Sequence, residues 1–341
     1  MKKYYAFILK TSLVLVYLVI IAGALVRMTG SGMGCPDWPK CFGYYIPPTD
    51  IKELTWTPNR TYEENQVIIK ADKLLVCIHD FKTTEKFDTL NWRPYTKHDY
   101  AIFNATQTWI EYLNRLIGAL AGLIILIMAV FSIHYWKENK KITLLSWLTV
   151  LLMGFQGWLG ARVVYSVLNP IKITLHMIVA LIIVGVILFI IKTINTNNFR
   201  FCYDKKFKKI LLITLILTIF QIIMGTQVRQ YVDDQVKILG YDNMKMVLEH
   251  PTITFYFHRS FSLLILGLNL FLFVKNRKMN LGFEKLNFVM LFIGIEILSG
   301  MAMYYLDFPY GSQPIHLIIA SILFGIQFYL FLETREKQKT I

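Results

Sequence analysis

Charged residues and cysteines are scarce in this sequence. Asp, Glu, Lys and Arg make up 17% of the 341 residues, only four residues are Cys, and 55% are hydrophobic. A soluble globular domain is usually about 45–50% apolar, so the composition disfavours a soluble protein. Basic patches interleaved with aromatic residues are also missing, which excludes a nucleic-acid-binding role in spite of a formal net charge of +14.

Long apolar runs are abundant instead. Each is roughly 20 residues long, the length that a helix needs to cross about 30 Å of hydrocarbon. Because lipid offers no hydrogen-bond partners, we expect helices that satisfy their own backbone groups. The first run is too long for the apolar core of a signal peptide, so we expect it to be retained. The runs predict eight transmembrane helices, at roughly 7–27, 107–133, 143–163, 172–193, 209–229, 252–274, 286–306 and 314–333.

Basic residues cluster in alternate connections between these helices. They lie in Met1–Lys3, Lys137–Lys141, Lys205–Lys209, Lys275–Lys285 and Thr334–Lys339. With eight spans, all five segments fall on the same side, and the positive-inside rule predicts that both termini are cytoplasmic. The long loop at about 28–105 would then lie outside the cytoplasm. Its recurring aromatic residues indicate an ordered segment, although the sequence does not predict its fold.

Four short motifs occur twice in the same order, which indicates an internal duplication. The pairs are Gly23–Arg27 with Gly225–Arg229, Tyr112–Arg115 with Tyr256–Arg259, Gln156–Gly160 with Glu296–Gly300, and His176–Ala180 with His316–Ala320. Because four spans separate the copies, both halves keep one orientation in the membrane. We therefore expect an all-α integral membrane protein of two pseudo-symmetric four-helix bundles, residues 1–200 with the long loop and residues 201–341.

Two histidines of the second half, His258 and His316, lie near the start of spans six and eight, at similar depth. Coordinating groups inside a span are costly and are functional candidates by default. Two imidazoles from facing helices of a bundle can supply both axial ligands of one haem iron. The alternative is a pair of hydrogen-bonded packing histidines.

The equivalent positions of the first half hold His176 and Asn114. An amide is a poor iron ligand compared with imidazole, so a haem in this half would be held by His176 alone or with a weak sixth ligand. Such a site would be labile or open. The alternative is that Asn114 only forms hydrogen bonds and this half binds nothing.

Glu111 is a second asymmetry between the halves, since the matching position in the second half is Phe255. Glu111 lies three residues before Asn114, so both share one helix face. A carboxylate in an apolar pocket can exchange protons and act in catalysis. The alternative is an interfacial Glu that faces water or pairs with Arg115.

Five arginines lie at the predicted outer ends of helices, against the charge bias of the other loops. Haem propionates that point outward would be natural partners, because Arg pairs with carboxylates in a bidentate manner. Acidic residues of the outer loops or lipid phosphates are the alternative partners. The five are Arg27, Arg115, Arg162, Arg229 and Arg259.

Cys35 and Cys41 face the oxidising side in this topology and can form a small disulfide loop. Their spacing is not C-x-x-C, and no nearby His favours a zinc site. The disulfide is either structural or a redox-active pair. Glu296, in the middle of span seven, could pair with a polar neighbour or move protons, and its role stays open.

In combination, these motifs resemble those of haem A synthases. The resemblance rests on the Cys-Pro-Asp-Trp-Pro-x-Cys run at Cys35–Cys41, the Glu111–Arg115 motif and the His-x-x-x-Ala pairs, and it covers most of the chain except about 50–90. It implies an oxidoreductase that oxidises the C8 methyl of haem O to a formyl group, giving haem A for cytochrome oxidases.

The resemblance also implies roles for individual residues. A haem b cofactor would be held in the second half by His258 and His316, with Arg229 and Arg259 close to it. The substrate haem O would lie in the first half, near His176, Asn114, Arg115 and Arg27, with Glu111 as the catalytic residue. The Cys pair carries over to Cys35 and Cys41. The sequence departs from the family where Asn114 replaces the usual His, so His176 would be the one histidine ligand of the substrate haem.

Two other functions compete with this one. A non-catalytic membrane haem b electron-transfer protein has no need of the asymmetric Glu111 and Asn114. A transporter should show paired Gly or Pro interruptions at mid-membrane, and none is clear.

We expect a bacterial plasma membrane rather than the mitochondrial inner membrane, because the start lacks an Arg/Ser-rich transit segment. Expected partners are haem O, the haem O synthase that supplies it, membrane lipid and an unknown electron acceptor. The sequence leaves open whether the chain forms a homo-oligomer.

Overall fold

A computed structural model describes residues 2–195 and 202–335 of the chain. In this part of the chain, eight helices are long and apolar enough to cross a membrane, which confirms the predicted fold class. The helices are α1 (Lys2–Met28), α2 (Ala105–Ser132), α3 (Lys140–Tyr165), α4 (Pro170–Ile194), α5 (Lys205–Leu239), α6 (Ile253–Lys278), α7 (Leu286–Tyr305) and α8 (Ser312–Glu333).

Some predictions concern residues outside this description. They include the boundary between the halves at 200 and 201, and most of the basic segment Thr334–Lys339. The division of the chain into two bundles at this boundary stays a prediction. The cytoplasmic position of the termini also stays a prediction.

Helix α5 is longer than a bilayer requires. Its 35 residues span about 52 Å at 1.5 Å per residue, against about 30 Å of hydrocarbon. Asp204 caps its first turn by accepting a hydrogen bond from the backbone N–H of Phe207, and it also pairs with Lys275 at 2.7 Å. The helix ends at Gly240, whose φ of 79° interrupts it. It therefore continues well past the predicted end of the fifth span at about 229.

The first loop contains two small antiparallel sheets, which the sequence did not predict. One pairs β1 (Thr61–Tyr62) with β4 (Phe81–Lys82), and the other has the order β2-β3-β5, formed by Val67–Lys70, Lys73–Cys77 and Trp92–Pro94. Strands β2 and β3 form a hairpin whose two turn residues, Ala71 and Asp72, have φ values of 50° and 55°. Two positive φ values at the central residues are typical of a type I′ turn.

Aromatic residues form the core between these strands. Tyr62 and Trp92 are buried with their ring centres 5.1 Å apart, and Phe81 packs against both. The aromatic residues that recur through the loop in the sequence therefore stabilise it, as expected for an ordered segment.

The chain forms two compact units. One comprises Met1–Ile21, Ala121–Met153 and Met177–Ile341, and the other comprises Ala22–Leu120 and Gly154–His176. In the first unit, the rings of Phe207 and Phe283 stack at 4.8 Å within an apolar core that joins α5 to the start of α7. In the second unit, the first loop packs its apolar side chains around the Cys35–Cys41 disulfide.

Candidate functional site

His258 on α6 and His316 on α8 face each other within the first unit. Their ring centres are 6.4 Å apart and their planes are inclined by 68°. A metal–imidazole bond is about 2.0–2.1 Å long and the ring centre lies about 1 Å behind the nitrogen, so two axial imidazoles of one iron have centres roughly 6 Å apart. The two side chains therefore fit a bis-imidazole haem site.

Glycines on the preceding helices give these histidines room. A Cβ at Gly225 of α5 would lie 3.2 Å from Cε1 of His258, and a Cβ at Gly300 of α7 would lie 3.7 Å from Cε1 of His316. The contact at Gly225 is tighter than ordinary van der Waals packing. A side chain there would displace the imidazole, so glycine lets this ring lie directly against α5.

Nδ1 of His316 contacts two residues of α7. It lies 3.0 Å from Oε2 of Glu296 and 2.9 Å from Oγ of Ser299. This leaves Nε2 as the nitrogen available to a metal. Nδ1 of His258 is buried without a hydrogen-bond partner, while Gln221 holds the backbone of this residue by donating to its carbonyl at 2.9 Å.

His176 and Asn114 both lie in the second compact unit. In the sequence repeat, they are the first-half counterparts of His316 and His258. Nδ1 of His176 and Oδ1 of Asn114 are both buried without a hydrogen-bond partner. Gly160 lies beside the imidazole as in the second half, with 3.5 Å from its hypothetical Cβ to Cε1 of His176. A buried polar atom without a partner costs about 1–3 kcal/mol, so this place is suited to a ligand that supplies contacts.

Glu111 and Arg115 join α2 to the disulfide loop. Glu111 is 4% exposed, and its Oε2 accepts a hydrogen bond from the backbone N–H of Cys35 at 2.8 Å. Its Oε1 accepts one from Arg115 at 2.6 Å. The guanidinium of Arg115 also donates to the carbonyl oxygens of Asp37, Lys40 and Cys35, at 2.8, 2.9 and 3.1 Å. Arg115 thus binds Glu111, the alternative that the sequence left open, and holds the loop as well.

The predicted bond between Cys35 and Cys41 is present, and both residues are fully buried. The Asp37 carboxylate stabilises the loop by accepting hydrogen bonds from the backbone N–H groups of Phe42 and Gly43. Burial raises the pKa of the Asp37 carboxyl, while these two N–H groups and the Arg115 guanidinium act to lower it.

The remaining arginines lie in different surroundings. Arg229 forms an ion pair with Asp233 at 2.7 Å, and Arg259 is exposed, with its guanidinium 5.4 Å from the ring centre of Tyr256. Arg27 is half-buried at the end of α1, and Arg162 is exposed on α3. Arg229 thus has an acidic partner, and Arg259 keeps an open guanidinium on the same helix as His258.

Sequence reasoning missed Ser299 and the roles of the glycines. The only signal for the glycines was the repeat, in which Gly160, Gly225 and Gly300 are the first or last residues of duplicated motifs. Ser299 has no counterpart in the first half, where Leu159 stands, so the repeat could not single it out.

Comparison with known proteins identifies a family. A family model described as cytochrome oxidase assembly protein (COX15-CtaA) matches residues 6–67 and 75–328. The unmatched stretch between the two parts, 68–74, contains the turn of the β2–β3 hairpin.

Curated relatives of the chain carry the name haem A synthase. The protein of Wolbachia pipientis is 24% identical over 96% of this chain and 91% of its own length, and that of Flavobacterium johnsoniae is 24% identical over 93% of each. The protein of Shewanella oneidensis is 27% identical over 54% of this chain, a match that spans only 43% of the relative. The similarity to the first two extends along nearly the whole of both chains.

Proposed function

The chain belongs to the family of cytochrome oxidase assembly proteins, since the family model covers nearly all of it, and we propose that it is a haem A synthase. The relatives that it matches nearly end to end carry that name. The reaction proposed is oxidation of the C8 methyl group of haem O to a formyl group, in which water or dioxygen supplies the oxygen atom and an external electron acceptor takes up the electrons. The chain is a multi-pass protein of the plasma membrane, in keeping with its eight apolar helices and bacterial relatives.

The second half would hold a haem b cofactor between His258 and His316. The 6.4 Å separation of their ring centres is the observation that supports this most directly. Bound there, a haem supplies one-electron transfer. Arg259, whose guanidinium is exposed on the same helix, would pair with a propionate. Arg229 would be a further propionate partner, in competition with its Asp233.

The first half would hold the substrate haem O. His176 would bind its iron, and Asn114 would contribute the buried carbonyl oxygen that has no partner in the protein. Arg27 would neutralise a propionate at the end of α1. Arg115 is engaged with four oxygen atoms of its own unit, so its contribution would be to position Glu111 and the disulfide loop.

Glu111 would be the catalytic residue. Its two carboxylate oxygens are held by Cys35 and Arg115, and it shares a helix face with Asn114, three residues further along. A carboxylate fixed in this way can take up a proton released from the methyl group or orient a water molecule. The Cys35–Cys41 disulfide would set the position of this carboxylate through the Cys35 N–H.

The test is chemical analysis of haems. The chain is co-expressed with a haem O synthase in a host that lacks haem A, and extracted haems are separated by chromatography. We expect haem A in addition to haem B and haem O. A folded, haem-loaded protein that yields only haem B and haem O would contradict the proposal and would leave a non-catalytic haem b electron-transfer protein.

The expected partners follow from the reaction. Haem O is the substrate, and the synthase that makes it would deliver it within the same membrane. The first loop, with the disulfide, would lie outside the cytoplasm, where Cys pairs are oxidised.

A further inference from the structure

Two residues of α7, Glu296 and Ser299, both contact Nδ1 of His316, and the proposed reaction makes no use of either. The carboxylate oxygen is 3.0 Å away and the hydroxyl oxygen is 2.9 Å away. Glu296 and Ser299 are three residues apart and so share one face of the helix. This is the only imidazole among His176, His258 and His316 whose Nδ1 has hydrogen-bond partners in the described residues.

The hydrogen bonds of Ser299 favour the tautomer of His316 that carries its proton on Nδ1. A hydroxyl group has one hydrogen to donate, and Ser299 donates it to the backbone carbonyl of Glu296 at 3.0 Å. With its hydrogen on that carbonyl, the hydroxyl oxygen accepts from Nδ1 of His316, which also lies within reach of Glu296 Oε2. In this tautomer Nε2 carries the lone pair and is the nitrogen that can bind a metal.

The first half lacks this arrangement at the equivalent positions. Numbers in the repeat differ by 140 in α3 and α7, so Gln156 corresponds to Glu296 and Leu159 to Ser299. Gln156 donates to the backbone carbonyl of His176 at 2.9 Å and does not reach its ring, and Leu159 is a buried apolar side chain. Nδ1 of His176 consequently has no partner.

We propose that Glu296 and Ser299 are positioning residues that make His316 a permanent, electron-rich axial ligand of the haem in the second half. The inference rests on the proposed function, in which this half holds haem b. A ligating histidine that donates its other N–H to a carboxylate is fixed in tautomer and orientation and becomes a more basic ligand. A more basic ligand favours ferric over ferrous iron, so the pair also lowers the reduction potential of that haem.

The same two positions distinguish a cofactor from a substrate. A cofactor must stay bound, whereas a substrate haem must enter and leave. His316, anchored by two acceptors, suits retention, and His176, with an unpartnered Nδ1, suits exchange. Glu296 and Ser299, in place of Gln156 and Leu159, would therefore give the haem of the second half a longer residence time than the haem of the first half.

The decisive variant gives the second half the residues of the first, Glu296→Gln with Ser299→Leu. The full-length protein is purified in detergent with its haem and without haem O. Two quantities are measured: the rate of haem transfer to apomyoglobin, and the midpoint potential of the b-type haem by spectroelectrochemistry. Loss of such partners typically weakens a metal site 10–100-fold, so we expect haem transfer to accelerate by about that factor. The potential should rise by about 59 mV for each tenfold loss of ferric preference.

Glu333→Gln is the matched control. Glu333 is also a buried carboxylate of the same unit, paired with Lys285 at 2.6 Å, and lies about 25 Å from His316 along α8 at 1.5 Å per residue. It should change neither quantity. Glu296→Asp, which keeps the carboxylate, should recover part of both.

Unchanged transfer and potential in the double variant would overturn the inference, as would a Glu296→Asp variant as defective as the double one. If the double variant does not accumulate, Ser299→Ala decides on the same two measurements. Haem A formation is not among these measurements. A wild-type protein that retains b-type haem and makes no haem A would therefore refute the proposed function and still test this inference.

Discussion

The carboxylate of Glu111 accepts a hydrogen bond from the backbone N–H of Cys35 at 2.8 Å. A side chain of α2 and one end of the disulfide are thereby joined directly, and Arg115 closes the arrangement by bonding to both residues. The position of the proposed catalytic carboxylate therefore depends on the disulfide loop, and the loop depends on the carboxylate.

Replacing Glu111 by Ala should abolish haem A formation and leave the b-type spectrum intact. The carboxylate is proposed to act on haem O in the first half, while His258 and His316 belong to the second. Chromatography of extracted haems and a visible spectrum of the purified protein measure the two effects. Glu63→Ala, at an exposed position of the first loop, is the control. Loss of the b-type spectrum in Glu111→Ala would mean that the residue is structural.

Replacing Arg115 by Lys should expose the disulfide. A single ammonium group cannot reach the three carbonyl oxygens that the guanidinium now binds, and leaving such groups unsatisfied costs about 1–3 kcal/mol each. We expect reduction and alkylation of Cys35 and Cys41, followed by mass spectrometry, to become about tenfold faster. Arg259→Lys, the equivalent change in the repeat, should leave the rate as it is. Equal rates in both variants would contradict the bracing role of Arg115.

Removing the disulfide by Cys35→Ser with Cys41→Ser should destabilise the loop. Closing a loop of sequence separation 6 contributes about 2 kcal/mol in the chain-entropy model. If the bond is structural, haem A formation should persist at low temperature and fail at a lower temperature than in wild type. Activity absent at every temperature, in a protein that still binds haem b, would show that the reaction itself needs the disulfide, either as a redox pair or to position Glu111. Cys202→Ser, at an exposed cysteine, is the control for both outcomes.

Replacing His258 by Ala should remove the six-coordinate b-type spectrum, because one axial ligand of the haem is lost. His134→Ala is the control, since His134 is exposed in the turn after α2. Optical spectra of both purified proteins decide the question. An unchanged spectrum in His258→Ala would show that the iron is bound elsewhere.

Replacing Gly225 by Ala should disturb the same spectrum without removing a ligand. The new methyl group would lie 3.2 Å from Cε1 of His258, and overpacking of this kind costs about 1–3 kcal/mol. Gly23→Ala is a matched control from the repeat, because a Cβ at Gly23 meets nothing within 4 Å. We expect a shifted spectrum and a lower thermal midpoint for Gly225→Ala only. Identical behaviour of the two variants would mean that the His258 ring can move away freely.

The eight helices were predictable because a membrane span needs a long apolar run, and each run stands out from the loops around it. The end of α5 was less predictable, since Gln230 to Leu239 are polar enough to leave the membrane and still continue the helix. The sheets of the first loop were not predicted. Their strands are two to five residues long, too short for a clear alternating pattern.

The pairing of His258 with His316 was predictable, because both residues lie near the start of their spans and therefore at similar depth. The site was not predictable where the partner is a backbone atom. Every residue type carries a backbone carbonyl, so no side-chain pattern in the sequence predicts which carbonyl oxygens Arg115 binds. Glu296 was visible as a charged residue in a span, but its contact with His316 depends on how α7 and α8 pack.

An insertion at the hairpin turn of Ala71 and Asp72 can show on which side of the membrane the first loop lies. The turn falls in the internal stretch, 68–74, that the family model leaves unmatched, and both turn residues are exposed. A short epitope inserted between them should leave the fold intact. Antibody binding to intact cells, compared with permeabilised ones, would then report directly which face of the membrane carries the first loop.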